Sequence, residues 1–186
     1  LFYLKGRLGK VGAILVVHQM GRPADLKTIS DFAKKYRLPL IEDAACAVGS
    51  EITGPSGKSK ERIGKPHGDF ACFSFHPRKV LTTGDGGMIT SKKKSQDRFF
   101  RLLRQHGMSI PDKIRHRSRK ILFEKHSVPG FNYRMTDLQA AVGIRQLEKL
   151  ERILADRERI YHGYRKHLRT LSWLKLPEHP SGAKSN

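Results

Sequence analysis

Two short apolar runs constrain this chain most. "VGAILVVH" (11–18) and "LPLIEDA" (38–44) are continuous, only a few residues long, and bounded by polar residues. That is the pattern of strands buried on both faces. Between them, "ADLKTISDFAKKYRL" sets Leu26, Ile29, Phe32, Ala33 and Tyr36 at three- and four-residue spacing, with Asp25 as N-cap. This is the apolar face of a helix. Strand, helix and strand in this order make a βαβ unit, whose right-handed crossover requires a parallel pair. The fold class is therefore α/β.

The remaining pattern extends that unit. Residues 49–68 turn to Gly, Ser, Lys and Pro and read as a loop. "FACFSFH" (70–76) and "GGMITS" (86–91) are two more strand candidates. A helix is predicted from Ser95 to His106, with Phe99, Leu102 and Leu103 apolar and Gly107 as its C′ residue. Residues 108–130 are basic and poorly patterned, as in a loop or flap. Thr136 and Gln139 then form a capping box ahead of the longest periodic segment. Leu138, Ala141, Val142, Leu147, Leu150, Ile153, Leu154, Tyr161, Tyr164 and Leu168 keep one apolar stripe there, so a long helix or helix pair is expected.

Composition narrows the class of protein. With 186 residues, 38% of them apolar, the chain can bury the core of one domain with an appendage. It has no initiating Met and enters a strand pattern almost at once, so it reads as a piece that starts partway through a fold. No run approaches the roughly 18 apolar residues of a membrane span, and no signal-peptide pattern opens the chain. Cys46 and Cys72 have neither zinc-site spacing nor the makings of a disulfide framework, which indicates a reducing, cytoplasmic setting. Lys and Arg number 37 against 17 Asp and Glu, a formal charge of +20. That balance suits an anionic partner, but charge speaks to non-specific attraction and not to fold. Much of the excess lies between Ser91 and His126, without RNP-type aromatic alternation, finger spacing or a helix-turn-helix glycine. It reads as a solvated basic face, and nucleic-acid binding is the weaker reading. His106, His116 and His126 lack the i, i+4 pairing of a helical metal site, and no metal is expected.

In open α/β sheets, ligands bind beyond the carboxyl ends of the strands. The residues to read are therefore His18, then Asp43 to Cys46, then Ser74 to Lys79. Taken singly, each has an ordinary explanation as an exposed lysine, a turn-capping Asp or a half-buried Ser. Together, an amine, a carboxylate and a hydroxyl match one cofactor. Pyridoxal phosphate needs a lysine for a Schiff base, an acid for its pyridine nitrogen and donors for its phosphate. The Thr and Gly residues after Lys79 would let the backbone turn closely beneath a flat ring. "ITGPSGKS" (52–59) imitates a phosphate loop but has Ile52 where that loop needs Gly.

The segments "VVHQMGRPADL", "LPLIEDAACAVGS", "GDFACFSFHPRKVLTTGDGGMI", "LLRQHGMS" and "GFNYRMTDLQAAVGIRQLEKL" occur in order from about Gly12 to Leu168. In these the chain resembles the DegT/StrS-type sugar aminotransferases, a branch of the fold-type I pyridoxal-phosphate enzymes. The resemblance implies a three-layer, aspartate-aminotransferase-like large domain in fragmentary form. Residues 1–130 would be part of the cofactor-binding large domain, 131–170 the helix or helix pair leading toward a small domain, and 171–186 a tail. It implies that Lys79 forms the Schiff base and later moves protons, that Asp43 partners the pyridinium, and that Ala45 packs on the ring. Ser74 would bind the phosphate, and Asn132 would reach the phosphate of a neighbouring subunit, which makes a homodimer. The reaction implied is transfer of an amino group from an amino acid, glutamate, to a nucleotide-linked keto sugar.

The chain departs from the family pattern in two places. Position 46, commonly Gln or His beside the ring's 3-oxygen, is Cys46, a weaker hydrogen-bond partner. "GDGG" stands for Gly-Glu-Gly-Gly, with Asp85 one methylene shorter. A related branch that dehydrates nucleotide sugars carries His in place of the lysine, which Lys79 argues against, and His76 lies three residues too early to replace it. The family's N-terminal third and small domain are not matched. The alternative reading is therefore a catalytically incomplete piece serving as a cofactor-binding, dimerisation or regulatory module.

Overall fold

A computed structural model describes residues 9–54, 59–110, 112–178 and 182–186. The start of the chain, residues 55–58 of the phosphate-loop lookalike and the His116 side chain lie outside the described residues.

β1 (Ile14–Val17) and β2 (Leu40–Asp43) are the two strands of the βαβ unit, and α1 (Leu26–Lys35) is its crossover. They pair in parallel, with Val16 opposite Glu42 and Val17 opposite Asp43. Asp25 caps α1 as expected, its carboxylate accepting from the Thr28 amide at 3.2 Å. The next strand, β5 (Phe70–Ser74), lies parallel to β2, with Asp43 opposite Cys72. β6 (Gly87–Ser91) closes the far edge antiparallel to β5, so the sheet order is β1-β2-β5-β6.

Because side chains alternate along a strand, the register sorts the sheet into two faces. Val16, Leu40 and Ala71 share one face and are buried with Leu26 and Ala33 of α1. Phe70 lies on the other, where its ring meets Phe100 of α2 (Lys94–Leu103) edge-on at 5.3 Å. Helices thus flank both faces of the sheet. Near β1 this second face is bare: Leu15 is 63% and Val17 43% exposed.

Residues 49–68 are not the plain loop expected. β3 (Glu51–Thr53) and β4 (Lys60–Arg62) form an antiparallel pair there, with Ile52 opposite Glu61. Three-residue strands are too short for alternation to be visible, and distant contacts hold them. Ile63 is buried in the core and donates its amide to Ser50, while Lys184 and Glu51 exchange backbone bonds at 2.8 Å. The last residues therefore return to the domain. Asn186 donates its side-chain amide to the Cys46 and Val48 carbonyls.

α2 ends at Leu103, three residues before the predicted stop, so Gly107 is not its C′ residue. Gly107 is required for another reason. At φ +69° its amide reaches back to Leu102, and a Cβ there would collide with the Val128 carbonyl. Residues 108–130 are largely irregular apart from α3 (Asp112–Arg117), and a bridge from Met108 to His126 ties them down.

The long periodic segment is a helix pair, α4 (Asp137–Glu148) and α5 (Leu150–Leu168), broken at Lys149. The Thr136–Gln139 capping box is present. The apolar stripe does not bury as one. Leu150 is buried and Leu154 packs beside it, but Leu138 is 82% and Val142 47% exposed. No helix among the described residues is long and apolar enough to cross a membrane.

Candidate functional site

Asp43 is the last residue of β2, and the chain turns at once behind it. Its carboxylate accepts the Ala45 amide at 3.0 Å, the Asx turn expected of an acid at a strand end. The turn is held from below by Ala44 and Ala47, both fully buried, and by the Ala44 amide donating to Cys72 of β5. Ala45 and Cys46 are left half-buried at the sheet's carboxyl end.

Ser74 ends the neighbouring strand β5 and is half-buried, its hydroxyl accepting the His76 amide at 3.3 Å. From there the chain loops out through Lys79 and returns to β6. Phe75 closes the loop's base, donating its amide to Gly86 and accepting from Thr83 N and the Thr82 hydroxyl. Leu81, 2% exposed, anchors the loop in a small core with Val48, Phe75 and Leu150. Val48 comes from the segment after β2 and Leu150 opens α5, so three parts of the chain meet two residues from the lysine.

That anchoring carries the Lys79 amine to the β2 turn, where Nζ lies 3.2 Å from Cys46 Sγ. Among the described residues no carboxylate forms an ion pair with it. The tertiary structure therefore gathers Asp43, Ala45, Cys46, Ser74 and Lys79 at the carboxyl ends of two adjacent parallel strands. Asn132 is not gathered with them. It is exposed, bridges Gln105 through its backbone, and accepts from Arg134 Nε at 3.3 Å.

His18 also departs from its expected place in the crevice. It is 1% exposed, and its Nδ1 accepts the Ala24 amide at 3.1 Å. That assigns the proton to Nε2, which faces Glu42 at 3.3 Å. Glu42 is fully buried and also accepts the His67 and Gly68 amides, each at 2.6 Å. Burial pushes its carboxyl up, but the bonds from His18, Gly68 and His67 outweigh burial and leave it below the ordinary glutamate range. This clamp joins β1, β2 and the entry to β5 directly behind Asp43. In the sequence, Glu42 and Asp43 stand as two acids at the end of an apolar run. An acid in an otherwise apolar run was the available signal.

The donor set fits pyridoxal phosphate. An amine, a carboxylate and a hydroxyl are the types that cofactor requires, and all three stand at the carboxyl ends of β2 and β5. Among the described residues no group of three His, Cys, Asp or Glu is placed to hold a metal ion. A cavity of about 700 Å³ lies elsewhere, between α5, β3 and the returning C-terminal residues, lined by Arg22, Glu51, Arg62, Leu154, Tyr161 and Lys184.

The chain is 40% identical over 159 residues to the GDP-perosamine synthase of Caulobacter vibrioides, covering 86% of this chain and 38% of that protein. It is 39% identical over 168 residues to a UDP-4-amino-4,6-dideoxy-N-acetyl-beta-L-altrosamine transaminase of Campylobacter jejuni, covering 88% and 40% respectively. The chain thus spans about two-fifths of the length of these relatives. Among solved structures it superposes on the aminotransferase TlmJ of Streptoalloteichus hindustanus with a TM-score of 0.80 at 30% identity, over 99% of this chain and 46% of that one. A family model matches residues 8–185, and by that match the chain belongs to the DegT/DnrJ/EryC1/StrS aminotransferase family.

Proposed function

We propose that this chain carries the lysine-bearing part of a pyridoxal-phosphate-dependent aminotransferase that moves an amino group from an amino acid, glutamate, to a keto sugar carried on a nucleotide. One observation carries the reading: an amine and a hydroxyl from the end of β5 and its loop meet a carboxylate from the end of β2 at the carboxyl ends of two adjacent strands. The relatives named for nucleotide-linked amino sugars support the substrate class.

The cofactor, when bound, supplies a ring that draws electrons from a carbon losing its proton. The rest falls to this chain's residues. Lys79 would hold the cofactor covalently and, once released, take a proton from one carbon and return it to another. Asp43 would keep the ring nitrogen protonated, with the Ala45 amide and the buried Glu42 clamp fixing its direction. Ala45 would pack against the ring face, Cys46 would meet the 3-oxygen, and Ser74 would donate to the phosphate. Asn132 is solvent-facing beside the stacked rings of Phe131 and Tyr133, a placement suited to reaching the cofactor phosphate of a second subunit in a homodimer. Two unbridged cysteines fit a cytoplasmic setting.

The bare sheet face at Leu15 and Val17 favours a second reading, that the chain acts only as a cofactor-binding, dimerisation or regulatory module. Both readings meet one experiment: incubation of the purified chain with pyridoxal phosphate, borohydride reduction and peptide mapping. Label confined to Lys79 and absent from Lys79→Ala is the expected result. Label scattered over surface lysines, or a single defined label that survives in Lys79→Ala, would overturn the assignment of the lysine. Amino transfer by the labelled-competent chain separates enzyme from module.

A further inference from the structure

Cys46 and Lys79 are distant in sequence, yet the thiol and amine are in contact at 3.2 Å. Both are half-buried, within reach of small solutes. The backbone at each residue is tied into the fold. Cys46 sits between the fully buried Ala44 and Ala47, with its carbonyl held by Asn186 at 2.7 Å. Lys79 donates its backbone amide to His76 at 3.0 Å and lies two residues from the buried Leu81. A sulfur and a nitrogen held this way are already at the separation of a near-attack pair.

We infer that Cys46 and Lys79 form a reversible sulfur–nitrogen crosslink when the thiol meets a peroxide. In the first step hydrogen peroxide oxidises the Cys46 thiol to a sulfenic acid and is itself reduced to water. In the second, the Lys79 nitrogen attacks the sulfenyl sulfur. The sulfur–oxygen bond breaks, the sulfur–nitrogen bond forms, and the hydroxyl leaves with an amine proton as a second water. Two electrons pass from sulfur to peroxide, and the amine is not oxidised. Two equivalents of a small thiol reverse the link, restoring thiol and amine and leaving as their disulfide. Sulfenic acids condense with thiols to disulfides and with backbone nitrogen to sulfenamides, and the Lys79 amine would take the place of that nitrogen.

Cys72 is the natural competitor, and its environment works against it. Burial, with the Asp43 carboxylate adding to it, pushes its thiol up, which lowers the fraction of reactive thiolate. The link occupies the amine that the proposed function assigns to the cofactor, so its regulatory meaning rests on that reading. The link itself does not.

The test treats the reduced full chain with one equivalent of hydrogen peroxide and maps its peptides by mass, in wild type and in Cys72→Ala. A Cys46–Lys79 peptide pair short of two hydrogens, split by dithiothreitol and absent from Cys46→Ser, is the expected product. In Lys79→Met, Cys46 should instead stop as a sulfenic acid that dimedone traps. A Cys46–Cys72 disulfide, a Cys46 that keeps oxygen beside an unmodified Lys79, or an oxygen-bridged pair would overturn the inference. Borohydride labelling with pyridoxal phosphate is run in parallel on both forms. Labelling of Lys79 should be lost on oxidation and regained on reduction. A link in a chain whose reduced form never labels at Lys79 would sink the proposed function and leave the crosslink standing. Labelling at Lys79 without a link would do the reverse.

Discussion

The Gln139 side-chain amide donates to the Asp85 carbonyl at 3.1 Å, joining the first turn of α4 to the loop that follows Lys79. The same Gln139 accepts the Thr136 amide in the capping box, so one side chain serves both the helix start and the loop. Gln139→Ala should lower stability by about 1 kcal/mol, the usual scale for a lost cap. It should also loosen residues 82–86, which hydrogen exchange of the Thr83 and Gly86 amides would register. Unchanged exchange there would mean that the loop does not depend on α4.

Leu81 is the packing anchor of the lysine loop, buried against Val48, Phe75 and Leu150. Truncation to alanine should cost about 2–5 kcal/mol, as for other buried leucines. Urea unfolding measures the cost. If the chain remains folded, borohydride labelling should lose its selectivity for Lys79, because the backbone two residues away is no longer held.

Glu42 makes stability depend on acid. Its carboxyl lies below the ordinary glutamate range in the folded chain, because hydrogen bonds outweigh the upward push of burial. A depressed carboxyl stabilises above its unfolded pKa of about 4.3, and that stability is lost as pH falls through the folded value. In Glu42→Gln the amide NH₂ would face the protonated His18 Nε2, and His18 cannot exchange tautomer while Nδ1 accepts from Ala24. The variant should be less stable near neutral pH by about 1.5–3 kcal/mol. Its stability should also fall less steeply toward acid than that of the wild type. Denaturant unfolding across the acid range checks both, and parallel curves would show that Glu42 does not titrate on unfolding.

Asp43→Asn separates binding from turnover. The asparagine keeps an oxygen for the Ala45 amide, so the turn should persist and Lys79 should still label. Under the proposed function, amino transfer should fall by about 10²–10³-fold, the scale for removing one preorganised electrostatic partner. Loss of labelling in this variant would place Asp43 in the structure of the turn and not in the chemistry.

Local pattern made several elements of the fold legible. The β1-α1-β2 unit, the Asp25 cap, strands β5 and β6 and the Thr136–Gln139 capping box depend on residues close in sequence. β3 and β4 were not legible, since a three-residue strand carries no period and Lys184 pairs with Glu51 from far along the chain. Gly107 was misread for a related reason. Its need for a missing side chain comes from the Val128 carbonyl, not from the end of α2. The apolar stripe of α4 and α5 looked continuous, yet the helix breaks at Lys149, and Leu138 and Val142 face outward.

The same division runs through the site. Residue order alone placed Asp43, Ala45, Cys46, Ser74 and Lys79 after strands, because strand ends in an α/β sheet are where function collects. Only the tertiary structure decided that the Lys79 amine meets the Cys46 thiol, that His18 turns inward to Glu42, and that Asn132 stands apart on the surface. A strand end is written in local hydrophobic pattern. A contact between residues 33 or 24 positions apart is set by the register of neighbouring strands and by the packing of Leu81, and neither is a property of any one stretch of sequence.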